Sequence, residues 1–522
     1  MAPAVDGRLA ILAGISLSFV AVKALGRLIK KRQNKLPLPP GPVPLPLLGN
    51  VLSVNAQEPW LTYTEWGAAY GDLVFVRSLD EEMVVVNSQH IAEALLDKRS
   101  RIYSDRPYLA TLEPYGLSIN FAFLGYRDEW RLCRRLFHQT FRPESAVKFR
   151  PMQIKRAREM VVNLVDDPQH HYDHFATFSL SVVMSAVYDY DIGARDDPLV
   201  QIVVRALIPG SAVLTPERAL MLKTFPFLLK LPDWCWGSSI KRSARVSTKN
   251  MNEMADVPFR HVQQHMADSS FLARSSMVAE NLRRMETQEV APKPEFEDAL
   301  KKAATTAIMA SYETTSAFLM IFLLAMVLYP DVQKRAQAEI DSVVGRERLP
   351  TFEDRASLPY IEAVVRETFR WQPVAPLGVP HATSSDDVYN GYFIPKGTIV
   401  TYNTWGITRD EKRYSDASRF IPERFIDSDG VLVADDPTQY VFGFGRRICP
   451  GRYTADASAW SAVVTMLATL DISSAKDDQG KVVSFTPTFI TGVARHPAVF
   501  PCSILARSHI HSDLVNSWRT GF

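Results

Sequence analysis

Cysteine is scarce in this chain: Cys133, Cys235, Cys449 and Cys502 are scattered through 522 residues. So few and so widely spaced, they cannot build a disulfide framework, and a reducing compartment is the default for such a sequence. Charge of one sign is lacking as well. The 59 basic and 57 acidic residues leave a formal net charge of +2, which gives no electrostatic footprint for nucleic acid. There is no internal repeat and no low-complexity domain, so solenoids and disordered arrays are excluded. What the chain does have is apolar material, 47% of its residues, enough to bury a large core. The length gives a soft prior of several domains, although large helical enzymes can be one unit.

Residues 9–22 form an apolar run that is short for a full membrane span, but it continues through Lys23 into residues 24–29, and a lysine near the end can snorkel. A short run of this kind could instead be a cleaved signal peptide, so the flanking charges decide. Only Arg8 precedes it, whereas Lys23, Arg27, Lys30, Lys31, Arg32 and Lys35 follow. The positive-inside rule therefore predicts an uncleaved anchor with its basic flank over residues 1–35, the body of the chain lying on the cytosolic side. Residues 36–50 open with Leu36-Pro37-Leu38-Pro39-Pro40-Gly41-Pro42-Val43-Pro44-Leu45-Pro46. Such a stretch cannot be helical and predicts a stiff, extended hinge. One domain then occupies residues 51–522.

That body reads as mainly α with small β-sheets. Residues 60–70 predict a helix stopped at Gly71, and 73–76 with 83–86 predict paired strands around a polar turn. Ser88 is placed to cap a helix through Leu96, and 107–124 mixes proline, glycine and aromatics without a period, which reads as a long loop. Between about 172 and 285 there are further helices but no chemical motif; 220–236, apolar and broken by prolines, suits either a substrate-access region resting on a membrane or core packing. A long helical pattern spans about 296–329 and ends at Pro330. Tyr389-Asn390-Gly391-Tyr392 is a hairpin signal and 398–402 reads as another strand, together a second small sheet.

Chemistry concentrates near the C-terminal end. Cys449 lies in Phe442-Gly443-Phe444-Gly445-Arg446-Arg447-Ile448-Cys449-Pro450-Gly451, an irregular loop that turns into a helical run over 453–470. At such a junction backbone N–H groups and the helix dipole stabilise a thiolate, the form that binds metal. Gly445 permits a conformation that a Cβ obstructs, Gly451 lets the chain approach a flat ligand, and Pro450 suits a first helical turn. Phe442 could cover the sulfur against water and Arg447 could meet an anionic group. The competing reading of a lone cysteine is a buried core residue.

Three further patterns each have a bland reading beside the functional one. Trp130 and Arg134, four apart in an amphipathic helix, can present an indole N–H and a guanidinium to one anion, or be merely structural. In Ala310-Ser311-Tyr312-Glu313-Thr314-Thr315 a carboxylate beside a hydroxyl within an apolar helix costs desolvation unless satisfied or useful. A solvated face, or a threonine bonded back to its own helix, is the alternative there. Glu367 and Arg370 are three apart on one helical face, a spacing common among surface pairs.

The pattern F-x-x-G-x-R-x-C-x-G resembles the signature of the cytochrome P450 family of haem-thiolate monooxygenases, and the other motifs follow in that family's order as far as about Arg507. The resemblance implies a cytochrome P450-like fold with an N-terminal membrane-anchor helix, the body being the haem-thiolate catalytic domain. It implies that Cys449 ligates the iron of haem b (iron protoporphyrin IX), with Phe442 against the sulfur and Arg447, Trp130, Arg134 and His381 at the propionates; for His381 an ordinary satisfied histidine stays open. Gly445 and Gly451 complete the cofactor loop. Glu313 and Thr314 take the family's acid and alcohol roles in proton delivery, with Ser311 standing where glycine is common. Glu367, Arg370 and Arg424 would form a buried structural ion network. Phe121, Phe123, Ala310, Val374, Ala375, Leu377 and Thr491 would line the substrate pocket, with core packing an even alternative for the two phenylalanines. Glu411 and Ser415 stand where the family usually carries prolines, which touches only a local loop.

The implied activity is insertion of one atom of dioxygen into an apolar small molecule, with electrons from NADPH through a flavoprotein reductase. The implied location is the endoplasmic reticulum membrane, crossed once, with the catalytic domain cytosolic. The wording Asp128-Glu129-Trp130-Arg131 and the hinge look like fungal members of secondary metabolism, which points to terpenoid or polyketide intermediates. Two alternatives remain in other classes: a haem-thiolate isomerase or dehydratase that needs no dioxygen, against which the Glu313-Thr314 pair speaks, and a non-catalytic haem sensor.

Overall fold

A computed structural model describes residues 36–508, except 47, 80, 194–196, 212, 236, 267–275 and 288–292, together with 514–518. The expected anchor over 1–35 lies outside the described residues. The chain divides into two compact units, one drawn from Met1–Pro107 and Val379–Gly406 and the other from Tyr108–Gly378 and Ile407–Phe522.

The first unit holds a small sheet. Helix α1, Pro59–Tyr70, has proline at its start, where no N–H is needed, and ends on Gly71 at φ 98°. Strands β1 (Leu73–Ser78) and β2 (Glu81–Val86) pair antiparallel with Leu73 opposite Val86. β3 is His381–Ala382, and β4 (Asp387–Tyr389) and β5 (Tyr392–Ile394) form a hairpin turned by Asn390 and Gly391 at φ 50° and 80°, both positive as a tight hairpin turn requires. β6, Ile399–Tyr402, does not join that hairpin in a second sheet, as the sequence led us to expect. It runs parallel to β2, Met83 facing Ile399, and completes a four-stranded sheet in the order β1-β2-β6-β3. Val84, Val85 and Val86 are fully buried, and a strand covered on both faces suits a central position with a parallel neighbour far away in sequence. The proline-rich segment is extended and tied to strands: Phe75 N–H donates to Pro40 O (2.8 Å) and Phe393 N–H to Pro37 O (2.7 Å). A Cβ on Gly41 would sit 2.0 Å from Phe75 O, so only glycine fits there. Ser88 does not cap through its hydroxyl; its carbonyl accepts Ala92 N–H (3.0 Å), and the helix Gln89–Ala92 passes into a wider turn over Glu93–Asp97.

The second unit is a helical body. Its elements include α2 (Asp128–Phe141), α3 (Arg150–Asp166), α4 (His171–Tyr188), α5 (Ser239–His265), α6 (Lys293–Leu328), α7 (Pro330–Val343), α8 (Pro359–Trp371) and α9 (Arg452–Thr469). Short strand pairs follow: β7 (Leu470–Ser474) with β10 (Cys502–Ala506), and β8 (Phe489–Ile490) with β9 (His496–Pro497). Where the sequence reads as one loop over 107–124, two short 3-10 turns form at Leu117–Ile119 and Phe121–Phe123. Helix α6 is the central element. Pro330 ends it because proline cannot continue the ladder but suits the first position of α7. From Ala317 to Leu324 its side chains are almost wholly buried, packed with Phe175 and Val182 of α4 and Trp460 and Val464 of α9. Each such side chain contributes about 1.5–3 kcal/mol of transfer free energy. Residues 294–328 are also long and apolar enough to cross a membrane, but their burial makes them a core helix.

Candidate active site

The cysteine loop takes its shape from glycines. Gly443 and Gly445 stand at φ 82° and 58°, and the Cys449 N–H closes the loop on Phe442 O at 2.8 Å. Phe442 is half-buried and meets Phe369 of α8 edge-on, with ring centroids 5.4 Å apart. Burial pushes the Cys449 thiol above its ordinary range; the Gly451 N–H and the charges of Arg134 and Arg452 pull in the other direction without prevailing. A single N–H and two guanidinium charges are too little against the desolvation of a buried anion. A cation at the sulfur would reverse that balance.

Helix α2 brings cations to the same place. Arg447, 8% exposed, lies over the Trp130 ring at 4.2 Å and donates through Nη2 to Leu124 O at 2.7 Å. Arg134 is half-buried and near enough to Cys449 for their charges to interact; burial lowers its guanidinium to about 10. Among the described residues it has no carboxylate partner and the Trp130 indole makes no hydrogen bond. Trp130, Arg134, Gly445 and Arg446 line a cleft of about 450 Å³. A cation left unpaired in a protein interior is costly unless an anion meets it.

On α6 a window opens in an otherwise buried helix. Residues 303–308 and 316–327 are buried, whereas Ala310 and Thr314, one turn apart, are exposed. Thr314 Oγ1 donates back to Ala310 O at 2.7 Å, the bland alternative for its hydrogen bond, while the side chain still faces open space. Burial alone raises the Glu313 carboxyl above its ordinary value. Ser311, at the family's usual glycine, has its carbonyl tied to Ser179 Oγ at 2.6 Å.

Glu367 and Arg370 are both fully buried and joined by two parallel bonds of 2.7 and 2.8 Å. Arg370 also donates to Thr408 O, Ala417 O and Arg419 O, and Glu367 accepts from Ile421 N (2.7 Å) and Arg424 Nε (3.3 Å). The trio thus pins the 408–424 segment to α8.

Of the expected pocket residues, Phe121 is 2% exposed, edge-on to Phe137, and its N–H donates to Thr306 Oγ1 of α6 at 3.0 Å. It is a core aromatic. Phe123, Val374, Ala375 and Leu377 are half-buried and Thr491 is exposed; Arg495 N–H to Val374 O (2.8 Å) draws the last turn onto the 374 segment. His381 is 3% exposed in the first unit, its Nδ1 bonded to Tyr103 O at 2.7 Å. Sequence reasoning passed over Arg452, whose Nη1 donates to Cys449 O at 3.2 Å, and Arg106, half-buried in the first unit with Nη1 donating to Val379 O and Pro380 O and lowered to about 10. A basic residue one step past the cysteine motif was the only signal for the first; nothing marked the second.

These residues fit a haem. Among the described residues no three His, Cys, Asp or Glu side chains cluster as metal ligands. Gly451, at φ −94°, would bring an added Cβ no closer than 3.9 Å to any protein atom, at Phe137. Nothing in the chain itself demands glycine there, as expected where a ligand lies against it. The unpaired Arg134 and Trp130 groups suit carboxylates.

Comparison with known proteins agrees with that geometry. The family model described as Cytochrome P450 matches residues 39–498. Cytochrome P450 monooxygenase 136 of Postia placenta is 37% identical over 495 residues, 93% of this chain and 91% of that protein. Cytochrome P450 monooxygenase claR of Ampulloclitocybe clavipes is 35% identical over 505 residues, 96% and 92% of the two chains. Tryptamine 4-monooxygenase of Psilocybe cyanescens is 33% identical, covering 92% and 94%.

Proposed function

Because this chain belongs to the cytochrome P450 family, we propose that Cys449 is the ligand of its haem iron and that the window on α6 faces its substrate. The protein is a haem-thiolate monooxygenase that takes electrons from NAD(P)H through a reductase partner and oxygenates a small molecule. Bound haem supplies the reductive activation of dioxygen. The observation that carries the residue assignment is Arg134, without a carboxylate partner among the described residues, near the half-buried Cys449.

The chain's own residues then have separate tasks. Phe442 keeps water from the sulfur, and Gly445 and Gly451 shape the loop around it. Trp130, Arg134 and Arg447 meet the propionates through an indole N–H and two guanidiniums. Glu313, whose carboxyl is shifted upward by burial, passes a proton toward Thr314 Oγ1. Glu367, Arg370 and Arg424 hold the 408–424 segment against α8. Phe123, Ala310, Val374, Ala375, Leu377 and Thr491 line the pocket, with Phe121 behind them.

The substrate in this reading is an apolar terpenoid or polyketide intermediate of fungal secondary metabolism. The half-buried and exposed apolar residues at the pocket support it, as do fungal relatives at about this level of similarity throughout the chain. Residues 1–35 form a single-pass anchor in the endoplasmic reticulum membrane with the rest of the chain cytosolic, supported by the basic residues that follow the apolar run. Exposed Phe225, Phe227 and Trp234 suit contact with the same membrane. The test is co-expression with a flavoprotein reductase in a host fed candidate terpenoids and polyketides under labelled dioxygen. A product carrying one labelled oxygen supports the reading. Conversion that needs neither NADPH nor dioxygen contradicts it.

A further inference from the structure

The buried ion network reaches only part of what surrounds the sulfur. Arg370 and Arg424 donate to the carbonyls of Thr408, Ser415, Asp416, Ala417 and Arg419, and Glu367 accepts the Ile421 N–H. The cysteine loop, 442–449, lies further along the chain. Two tyrosines span the interval. Tyr414 is 2% exposed and Tyr440 fully buried, and their hydroxyl oxygens are 2.9 Å apart. Tyr414 Oη donates to Asp435 Oδ1 at 3.3 Å, which leaves its oxygen to accept from Tyr440.

Both ends of this pair are anchored. The guanidiniums of Arg370 and Arg424 lie 5.4 and 5.9 Å from the Tyr414 ring centroid, within the range of cation–π attraction. Arg413 lies over both rings, at 5.1 and 5.2 Å, and its Nε donates to Asp435 Oδ2 at 3.1 Å. Asp435 is fastened to α8 as well, since Arg366 Nη1 donates to its carbonyl at 3.1 Å. At the other end Tyr440 O accepts the Gly443 N–H at 3.1 Å, one residue past Phe442, whose carbonyl accepts the Cys449 N–H. A buried hydroxyl is costly unless it is bonded, and Tyr414 supplies that bond to Tyr440.

We propose that the Tyr414–Tyr440 hydroxyl pair ties the Glu367–Arg370 network to the cysteine loop, making both tyrosines positioning residues for the Cys449 sulfur. The role at iron rests on the monooxygenase reading above; the tie itself is a property of the chain. Phe369 against Phe442 also joins the loop to α8. Such a ring contact lets its partners slide, whereas a hydrogen bond fixes distance and direction. Burial raises both phenols above their ordinary value, so both keep their protons at neutrality.

The bonds make the two tyrosines unequal. Tyr440→Phe leaves Tyr414 bonded to Asp435, Tyr414→Phe strands the buried hydroxyl of Tyr440, and the double variant strands neither. Tyr414→Phe should therefore unfold at the lowest urea, and adding Tyr440→Phe should restore part of the loss. The loop responds differently, because all three variants cut the same tie. In full-length, haem-loaded enzyme, hydrogen exchange over 440–449 is followed by mass spectrometry, with the buried 317–324 stretch of α6 as reference. In each variant the loop should gain about fivefold over the reference, the factor that one hydrogen bond supplies. The thiolate-type carbon monoxide band should fade in dilute urea faster by a similar factor. A loop that changes only as much as the reference in Tyr440→Phe overturns the tie, as does a double variant less stable than Tyr414→Phe. Parent enzyme without the thiolate-type band overturns the monooxygenase reading, while exchange in the loop still decides whether the tie exists.

Discussion

Replacing Glu367 with alanine removes a carboxylate from a place where nothing else can balance Arg370. Both side chains are fully buried. After the substitution Arg370 Nε loses its 2.7 Å bond, Nη2 loses one of 2.8 Å, and the Ile421 N–H loses its acceptor at 2.7 Å. Breaking a buried pair by deleting one member costs about 3–5 kcal/mol, and an orphaned amide adds roughly 1–3 kcal/mol. Against a typical stability of about 5–15 kcal/mol, the variant should fail to load haem or unfold at far lower urea. Arg424→Ala is the internal control. Its bond to Glu367 is longer, 3.3 Å, and the Arg370 fork survives its loss, so about 1 kcal/mol is expected. Urea titration followed by circular dichroism and Soret absorbance measures both. A haem-loaded Glu367→Ala enzyme destabilised by less than about 1 kcal/mol would refute the reasoning built on the buried charge, as would an Arg424→Ala cost equal to that of Glu367→Ala.

Three further outcomes are expected. Cys449→Ala should abolish oxygenation, and normal turnover in that variant would remove the cysteine from the ligand role. Thr314→Ala deletes only a bond to its own helix, so stability should move by no more than about 0.5 kcal/mol, while reducing equivalents drain into peroxide; an unchanged ratio of peroxide to NADPH would sink the proton-delivery role. Burial raises the folded pKa of Glu313, so as pH rises through the ordinary glutamate value the unfolded chain releases that proton first and the folded state loses stability until its own higher pKa is passed. Glu313→Gln should therefore match the parent below about pH 4 and be the more stable of the two at neutrality. A difference that does not open with pH contradicts the assignment.

Much of this was legible in the sequence because the chain punctuates itself. Pro59 and Gly71 bracket α1, Pro330 separates α6 from α7, and Asn390-Gly391 turns the β4–β5 hairpin. Each works through local backbone sterics, so neighbours in sequence suffice to read it. The fork between Glu367 and Arg370 was equally open, since a spacing of three on a helix fixes the meeting. Arg424 could be added only by resemblance, because its approach to Glu367 is a tertiary event. The same limit hid the parallel pairing of β6 with β2, which no turn announces. Tyr172 carries no motif; its stack on His496 joins elements distant in sequence. The upward pull of burial on the Cys449 thiol, set against the loop's N–H and the nearby guanidiniums, cannot be seen in a ten-residue pattern.

The central claim, that the Cys449 sulfur binds iron porphyrin, is tested most directly by the absorption spectrum of the purified protein reduced under carbon monoxide. A Soret band displaced far to the red, present in the parent chain and lost in Cys449→Ala, is the predicted result. A band at the position given by nitrogen-ligated haem, or the same displaced band in Cys449→Ala, would contradict it.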